Sequence, residues 1–323
     1  MKIKVIEESD IEKYYELASN YGTIFNSNEW HFIFNKKIDL IGIYSEEGDL
    51  IGGAHFQILK IKGIFKYCRV PFFTPNIGLF YKNTENVKKS TKISIQSEIS
   101  EAFIKYLDRE KYLLTIFSFP PTFLFLQNFY WNKFKVIPRY TYHIDLTKDL
   151  DEILFNFSKG KLKDIKRAKK DSLSTILSFD YSLVKELVYN TFNRQGKAFQ
   201  NELMEDILFK FANESNSFSY ITWENGVPVS ASFCIFDNNT AYYLLGGYDN
   251  KNKHSAAGVQ TIVNCIEHSK RLGLNVFDFE GSMVPAIEKY FRGFGGELVP
   301  SFSVNKAWLP IEFVLKCFKR QLF

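Results

Sequence analysis

The segment from Phe277 to Glu297, FDFEGSMVPAIEKYFRGFGGE, restricts the fold of this chain more than any other. Phe277 and Phe279 alternate with Asp278 and Glu280, so a strand here turns aromatic rings to one face and carboxylates to the other. Gly281 breaks that strand, and Ser282 stands where a helix N-cap is wanted. The pattern then predicts a helix from about Val284 to Arg292, stopped by Gly293, Gly295 and Gly296. Upstream, Thr240 to Tyr248 reads as a strand and Ala256 to Leu272 as a helix, joined by a polar loop. Strand, polar loop, helix, acidic strand, helix is the order of an open α/β sheet, in which ligands meet the strand ends. The two carboxylates fall where such a sheet does its chemistry.

The chain has 323 residues, enough for two domains with separate cores. Hydrophobic residues make up 46% and charged residues 24%, the balance of a folded protein, and most of the 33 Phe must lie inside. Cys68, Cys234, Cys265 and Cys317 are far apart and form no CxxC pair, which suits buried free thiols in a reducing compartment. The five histidines show no HxxxH or HxH spacing and there is no GxSxG elbow, so metallohydrolase and serine hydrolase chemistry lack support and no metal is expected. Charges run through MKIKVIEESDIEKYY, where a secretory signal needs an apolar stretch, so a cytoplasmic location is expected. Tyr112 to Trp131 carries no charge over about the length of a bilayer helix. Pro120 and Pro121 interrupt it, and it reads as soluble structure.

The net charge of +5 does not announce a DNA binder. The positive charge is concentrated: Lys159, Lys161, Lys163, Lys166, Arg167, Lys169 and Lys170 stand against Asp164 alone. With Leu162, Ile165 and Ala168 between them, these residues form an amphipathic helix with a positive outer face, either solvated or a wall for phosphates.

The two halves share a plan. Residues 39 to 59 read as two strands around SEEGD, and residues 218 to 237 as two strands around ENGV. The first pair is followed by a helix, a strand, a partly helical segment and a strand, and the second by a third strand and then a helix, a strand, a helix and a strand, an internal duplication legible from element order. The expected boundaries are 1–147 and 148–305, with a tail from 306 to 323 returning to the first domain. In the tail, Ile311, Val314, Leu315 and Phe318 oppose Lys316, Lys319 and Arg320. The tail reads as a packed terminal helix or as a basic amphipathic helix touching anionic lipid.

Four segments, PRYTYHIDL (Pro138–Leu146), LKDIKRAKK (Leu162–Lys170), TFNRQGK (Thr191–Lys197) and FDFEGS with RGFGGEL, resemble in order and spacing the acyl-CoA-using GNAT superfamily. The resemblance is closest to its double-domain FemAB-like branch. It implies an α/β fold of mixed sheets with two GNAT-like domains in tandem, acetyl-CoA as donor, and an amine acceptor on a nucleotide- or lipid-linked cell-envelope precursor, reached at the inner face of the membrane. Rival readings are a tRNA-dependent peptidyltransferase, which would usually show a long helical hairpin, and a degenerate GNAT pair that only binds.

Such an enzyme must hold the acceptor against an already activated thioester and remove a proton, work that proximity and one base can do. Glu280 is the preferred base and Asp278 the second. Tyr290 is the candidate proton donor to the departing thiolate. Arg292 stands near the place where the resemblance implies a lysine. Leu245, Gly246 and Gly247 would offer backbone amides to the acyl group and pantetheine, the paired glycines permitting a bulge. Lys253, His254, Ser255, Ala256 and Gly258 would meet the pyrophosphate at a helix N-terminus. Arg194, Lys166, Arg167 and Ser282, with Phe73 and Asn76 of VPFFTPNIGLFY (residues 70–81), are the acceptor-side candidates.

Overall fold

The computed structural model describes residues 1–35, 37–61, 65–82, 87–194, 200–249, 251 and 254–323, the side chains of 61, 193 and 194 excepted. The chain divides into two compact units, Met1–Arg139 with Pro300–Phe323, and Tyr140–Val299. The first begins with β1 (Lys2–Val5), α1 (Ile11–Tyr21), α2 (Asn28–Phe32), β2 (Asp39–Tyr44) and β3 (Leu50–Ile61). It continues through β4 (Phe65–Arg69), β5 (Phe80–Tyr81), α3 (Lys89–Glu110), β6 (Leu114–Phe119) and α4 (Gln127–Trp131). Strand β7 (Lys135–Asp145) carries the chain into the second unit: α5 (Leu150–Phe155), α6 (Lys159–Lys170), β8 (Ser174–Ser178), α7 (Tyr181–Arg194) and α8 (Asn201–Asp206). Then come β9 (Ser217–Glu224), β10 (Val227–Phe236), β11 (Thr240–Tyr248), α9 (Ala257–Arg271), β12 (Val276–Asp278) and α10 (Pro285–Arg292). Strand β13 (Glu297–Ala307) and α11 (Leu309–Phe318) return to the first unit.

In the first unit the strands run β1-β2-β3-β4-β6-β13, with β5 also on β3, and only β4 and β6 are parallel. In the second they run β7-β12-β11-β10-β9-β8, and only β11 and β12 are parallel. Chain order would close the first unit with β7 and the second with β13. Instead Val276–Asp278 pair with residues 143–145 of β7, and Phe302–Ala307 of β13 pair with β6. The strand that follows α4 thus pairs in the second unit, and the strand that follows α10 pairs in the first. For that reason the divisions fall at 139 and 299 rather than at the expected 147 and 305.

Local chemistry explains the elements that frame the site. Asn225 and Gly226 take φ of 50° and 79° between the paired residues Glu224 and Val227, a two-residue hairpin turn that needs left-handed backbone twice. In α9, Val259, Ile262, Val263 and Ile266 recur at helical spacing and are all buried. They join Phe277, Phe279, Phe291 and Phe294 in the second unit's core, so the aromatic face of the acidic strand points inward as its alternation requires. The uncharged stretch from Tyr112 forms β6 and the short α4. Among the described residues no helix is long and apolar enough to cross a membrane.

Candidate active site

Strands β10 and β11 pair from Ser230↔Tyr248 to Phe233↔Leu245 and resume at Cys234↔Tyr243, which leaves Leu244 as an extra residue. A bulge of this kind bends the strand and re-aims its edge. On β11's other side, β12 runs parallel for three pairs only, from Thr240↔Val276 to Tyr242↔Asp278. Past Tyr242 the far edge of β11, including Leu245, Gly246 and Gly247, has no strand partner among the described residues. At its end the Tyr248 amide donates to the Thr191 hydroxyl at 2.9 Å and the Tyr248 carbonyl accepts from it at 3.3 Å, and the Gly247 carbonyl accepts the Ser230 hydroxyl at 3.2 Å. The glycines themselves serve packing. A Cβ on Gly246 would overlap the Tyr243 hydroxyl, and one on Gly247 would overlap the backbone of Leu187 and Val188 in α7. The missing side chains admit Tyr243 and α7.

Where β12 ends, Glu280 takes φ of 62° and Gly281 φ of 136°. A glutamate in this region costs on the order of 1–3 kcal/mol and persists only where neighbours hold it. Asp278 does the holding, since its Oδ1 accepts the Glu280 amide at 2.8 Å and the Thr141 hydroxyl at 2.6 Å. Its Oδ2 lies 3.2 Å from His143 Nε2, within ion-pair reach but out of line for a hydrogen bond. Through Oδ1, Asp278 supports the turn that carries Glu280. Glu280 Oε1 is shut off from solvent and has no hydrogen-bond partner. Burial, with the charge of Asp278 as second cause, pushes the Glu280 carboxyl well above the ordinary carboxylate range. Such a group, once ionised, is a stronger base than a surface glutamate.

Ser282 does not cap α10. Its amide and hydroxyl both donate to the Tyr140 carbonyl, at 2.9 and 3.1 Å, and the residue is buried. Helix α10 starts at Pro285, with Val284 as N-cap. Arg292 turns to the surface and pairs with Glu288 at 3.3 Å, while Glu288 also accepts the Tyr142 hydroxyl at 2.8 Å. It is no cation for the site.

A different cation stands there. The Lys161 ammonium lies 3.2 Å from the ring centre of Tyr290 and 4.1 Å from that of Phe294. Lys161 is 7% exposed, and no carboxylate among the described residues is in ion-pair reach. Burial lowers its pKa to about 7 against a weaker opposing pull from Asp164. Gly293 makes room for it, since a Cβ there would stand 3.0 Å from Lys161 Cε. The signal was present in sequence: Lys161, Ile165 and Ala168 share one helical face at i, i+4 and i+7. Tyr290 keeps 36% of its surface exposed, yet the protein groups crowding it push its phenol well above the ordinary value, so it holds its proton. Its hydroxyl lies beside Gly258, where a Cβ would approach to 3.1 Å.

Gly258 belongs to the first turn of α9. Ahead of it, His254 Nε2 pairs with Asp171 at 3.0 Å, His254 Nδ1 accepts the Ala256 amide at 3.2 Å, and Ser255 accepts a hydrogen bond from Arg167 at 3.0 Å. Ala257 donates to the His254 carbonyl. The amides of Gly258 and Val259 have no acceptor among the described residues, and Arg167, which also pairs with Asp171 at 3.3 Å, stands beside them, so the helix end fits an anionic group. The basic helix α6 thus meets the predicted phosphate loop through Arg167, while Lys166 is exposed. Lys253 and the Arg194 side chain lie outside the described residues. Phe73 and Asn76 belong to the first unit, where Asn76 Oδ1 accepts the Gly78 amide at 2.8 Å. A cavity of about 440 Å³ in the second unit, lined by His143, Lys148, Asn156 and Glu297 among others, touches the acidic strand's end only through His143. Among the described residues no three His, Cys, Asp or Glu side chains are grouped to hold a metal ion.

Comparison with known proteins bears on the fold. Residues 181–292 match the family model described as an acetyltransferase (GNAT) domain, which spans β9 to α10 and the helices before them. No curated protein sequence matches the chain. Among solved structures, FemX is similar at 13% identity over 98% of this chain and 100% of that one, with a TM-score of 0.69. The C-terminal domain of a putative lysylphosphatidylglycerol synthetase from Agrobacterium fabrum is similar at 11% identity over 95% of both chains, with a TM-score of 0.59. A Bacillus licheniformis structure described as L-PGS is similar at 13% identity over 97% of both chains, with a TM-score of 0.54. At these identities the likeness is one of fold.

Proposed function

We propose that this chain, which carries a GNAT acetyltransferase domain over residues 181–292 within a FemAB-like double-GNAT fold, moves an acyl group from acyl-CoA to an amine. Acetyl-CoA is the first candidate donor, and the acceptor is an amino group on a nucleotide- or lipid-linked cell-envelope precursor. The observation that carries the reading is Glu280: a strained, half-buried residue where β12 stops, whose Oε1 is shut off from solvent without a hydrogen-bond partner, beside a length of β11 that no described strand covers. Glu280 takes the proton from the acceptor amine as the new C–N bond forms. The peptide groups of residues 245–247 receive the donor, and the amides of Gly258 and Val259 with Arg167 hold its phosphates. Tyr290, kept protonated beside Gly258, returns a proton to the thiolate as the C–S bond breaks. The Lys161 ammonium over the Tyr290 ring stabilises negative charge gathering on that hydroxyl.

A second reading, aminoacyl transfer from charged tRNA, is favoured by the fold shared with FemX and the lysylphosphatidylglycerol synthetase domain. Calorimetric titration of the purified chain separates the two. Saturable binding of acetyl-CoA, weakened by Arg167→Ala, supports the first; binding of charged tRNA with none of acetyl-CoA would replace it with the second. A chain that binds neither would be a module without this chemistry.

A further inference from the structure

We propose that α11 docks the protein on the surface of an anionic lipid bilayer. Not one of the helix's ten residues is buried. Trp308 at its start is 62% exposed, Leu309 78%, Phe313 71% and Phe318 83%. Single exposed apolar residues are ordinary, but a helix that presents this many together marks an interaction site. At 100° per residue Leu309, Phe313 and Cys317 form one outward row, with Val314 beside it. The packed-helix reading of the tail is thereby set aside.

Charge selects the occupant. Lys316, Lys319 and Arg320 follow the apolar turns, and the one acid in the helix, Glu312, is 14% exposed and neutralised by Lys316 at 2.7 Å. Lys319 and Arg320 have no ion pair among the described residues. An apolar row with a tryptophan at one end and free cations at the other matches the cross-section of an anionic membrane interface, with rings among the acyl chains and cations at the phosphates. A helix of this length rises about 15 Å, half the hydrocarbon thickness of a bilayer, so it lies in the plane. The helix is also fastened. The Trp308 amide donates to the Leu113 carbonyl at 3.0 Å, and Asn305, 1% exposed, donates to the Leu322 carbonyl at 2.8 Å, so the apolar row is held outward from both ends.

Vesicle binding needs neither donor nor acceptor, so its outcome stands apart from the acyl-transfer reading. The full chain should co-sediment with phosphatidylcholine vesicles containing about 30 mol % phosphatidylglycerol, less so as salt rises, and not with pure phosphatidylcholine. Phe313→Glu/Phe318→Glu, at exposed positions and checked for folding by circular dichroism, should abolish binding. Lys319→Gln/Arg320→Gln should weaken it on the order of 30-fold. The idea fails if wild type ignores anionic vesicles at low salt, or if the glutamate pair binds them as well as wild type. It fails equally if lipid-free wild type sediments as a dimer that the glutamate pair dissociates, for then a second copy covers this face.

Discussion

The two units follow one plan and part company at a single gap. In each, a hairpin (β2–β3, β9–β10) leads to an antiparallel strand (β4, β11), a helix (α3, α9) and a strand parallel to the one before the helix (β6, β12). Each parallel pairing lasts three residues: Tyr67–Arg69 with Leu114–Ile116, and Thr240–Tyr242 with Val276–Asp278. Past that point the first unit fills the space with its own chain. Ile77, fully buried, donates to the Ser118 carbonyl at 2.9 Å and accepts the His55 amide at 2.8 Å, and Val70 donates to the Ile116 carbonyl at 3.3 Å. In the second unit no strand among the described residues covers the matching edge, and the Thr191 hydroxyl of α7 meets only its end at Tyr248. The strand ends differ too, since β6 runs into Pro120 and Pro121 and β12 into Glu280 and Gly281. One scaffold therefore yields a plugged copy and an open, acidic one, and activity should follow the gap rather than the fold.

The sharpest way to break this contrast is Glu280→Gln. It should lower kcat on the order of 10²- to 10⁴-fold with donor KM nearly unchanged, while Ile77→Val in the plug should leave kcat within a few-fold. The wild-type rate should fall on the acid side as Glu280 gains a proton, at a pH above the usual carboxylate range because its pKa is raised, and the variant should lose that limb. Stability carries the opposite sign. A raised carboxyl contributes most below its unfolded pKa, near 4.5, and loses that contribution as pH rises through its folded value. Glu280→Gln should therefore melt above wild type at high pH and converge with it at low pH. Equal turnover in the two proteins would move the chemistry elsewhere.

Lys161→Met tests whether the open unit keeps a second group under strain. The folded pKa, about 7 against 10.5, means that the unfolded chain binds the extra proton between those values, so wild-type stability should climb with pH across that window. Methionine fills the same space without charge. The variant should be flat over the window and about 2–4 kcal/mol more stable at pH 6 by denaturant titration. Its turnover should drop, and should drop no further when Tyr290→Phe is added, because the cation acts through that ring.

Glycine substitution reads the plug directly. Gly78 takes φ of 56°, and a Cβ there would run into the His55 ring and the Asn26 amide. Gly78→Ala should cost about 2–3 kcal/mol. Gly226, at φ of 79° in the open hairpin turn, has nothing within 4 Å of its Cβ position, and Gly226→Ala should cost about 1 kcal/mol. Chemical denaturation of both variants checks the ratio. Acetyl-CoA affinity should be untouched in each, since neither lies on β11.

Much of the second unit was legible because its signals are local. The strand from Thr240 to Tyr248, the hairpin around ENGV and the helix from Ala256 all stand close to where the sequence places them. What escaped depends on contacts between distant residues. Composition makes VPFFTPNIGLFY look like a binding loop, and only the bonds from Ile77 to two strands reveal a plug. The exchange of β7 and β13 is a matter of pairing that no periodicity encodes. Ser282 has the chemistry of a helix cap, but Pro285 already presets the first turn and the Tyr140 carbonyl claims the hydroxyl. Lys161 disappeared into a run of charges because its neighbours drew attention to the outer face.

The smallest effect separates the two causes of Glu280's basicity. Asp278→Asn keeps an oxygen that can accept the Glu280 amide and the Thr141 hydroxyl, so the strained turn should survive, and the new amide nitrogen can face His143. What disappears is one negative charge, the lesser of the two influences that raise the Glu280 pKa; burial, the greater, stays. The acid limb of the rate profile should move to lower pH but stay above the ordinary carboxylate range, with kcat on its plateau reduced by less than about tenfold. A limb that did not move would mean that Asp278 exerts no charge on the base. A limb at the ordinary carboxylate value would mean that burial counts for nothing, and Glu280 would then sit in the second unit's gap as wet as a surface carboxylate.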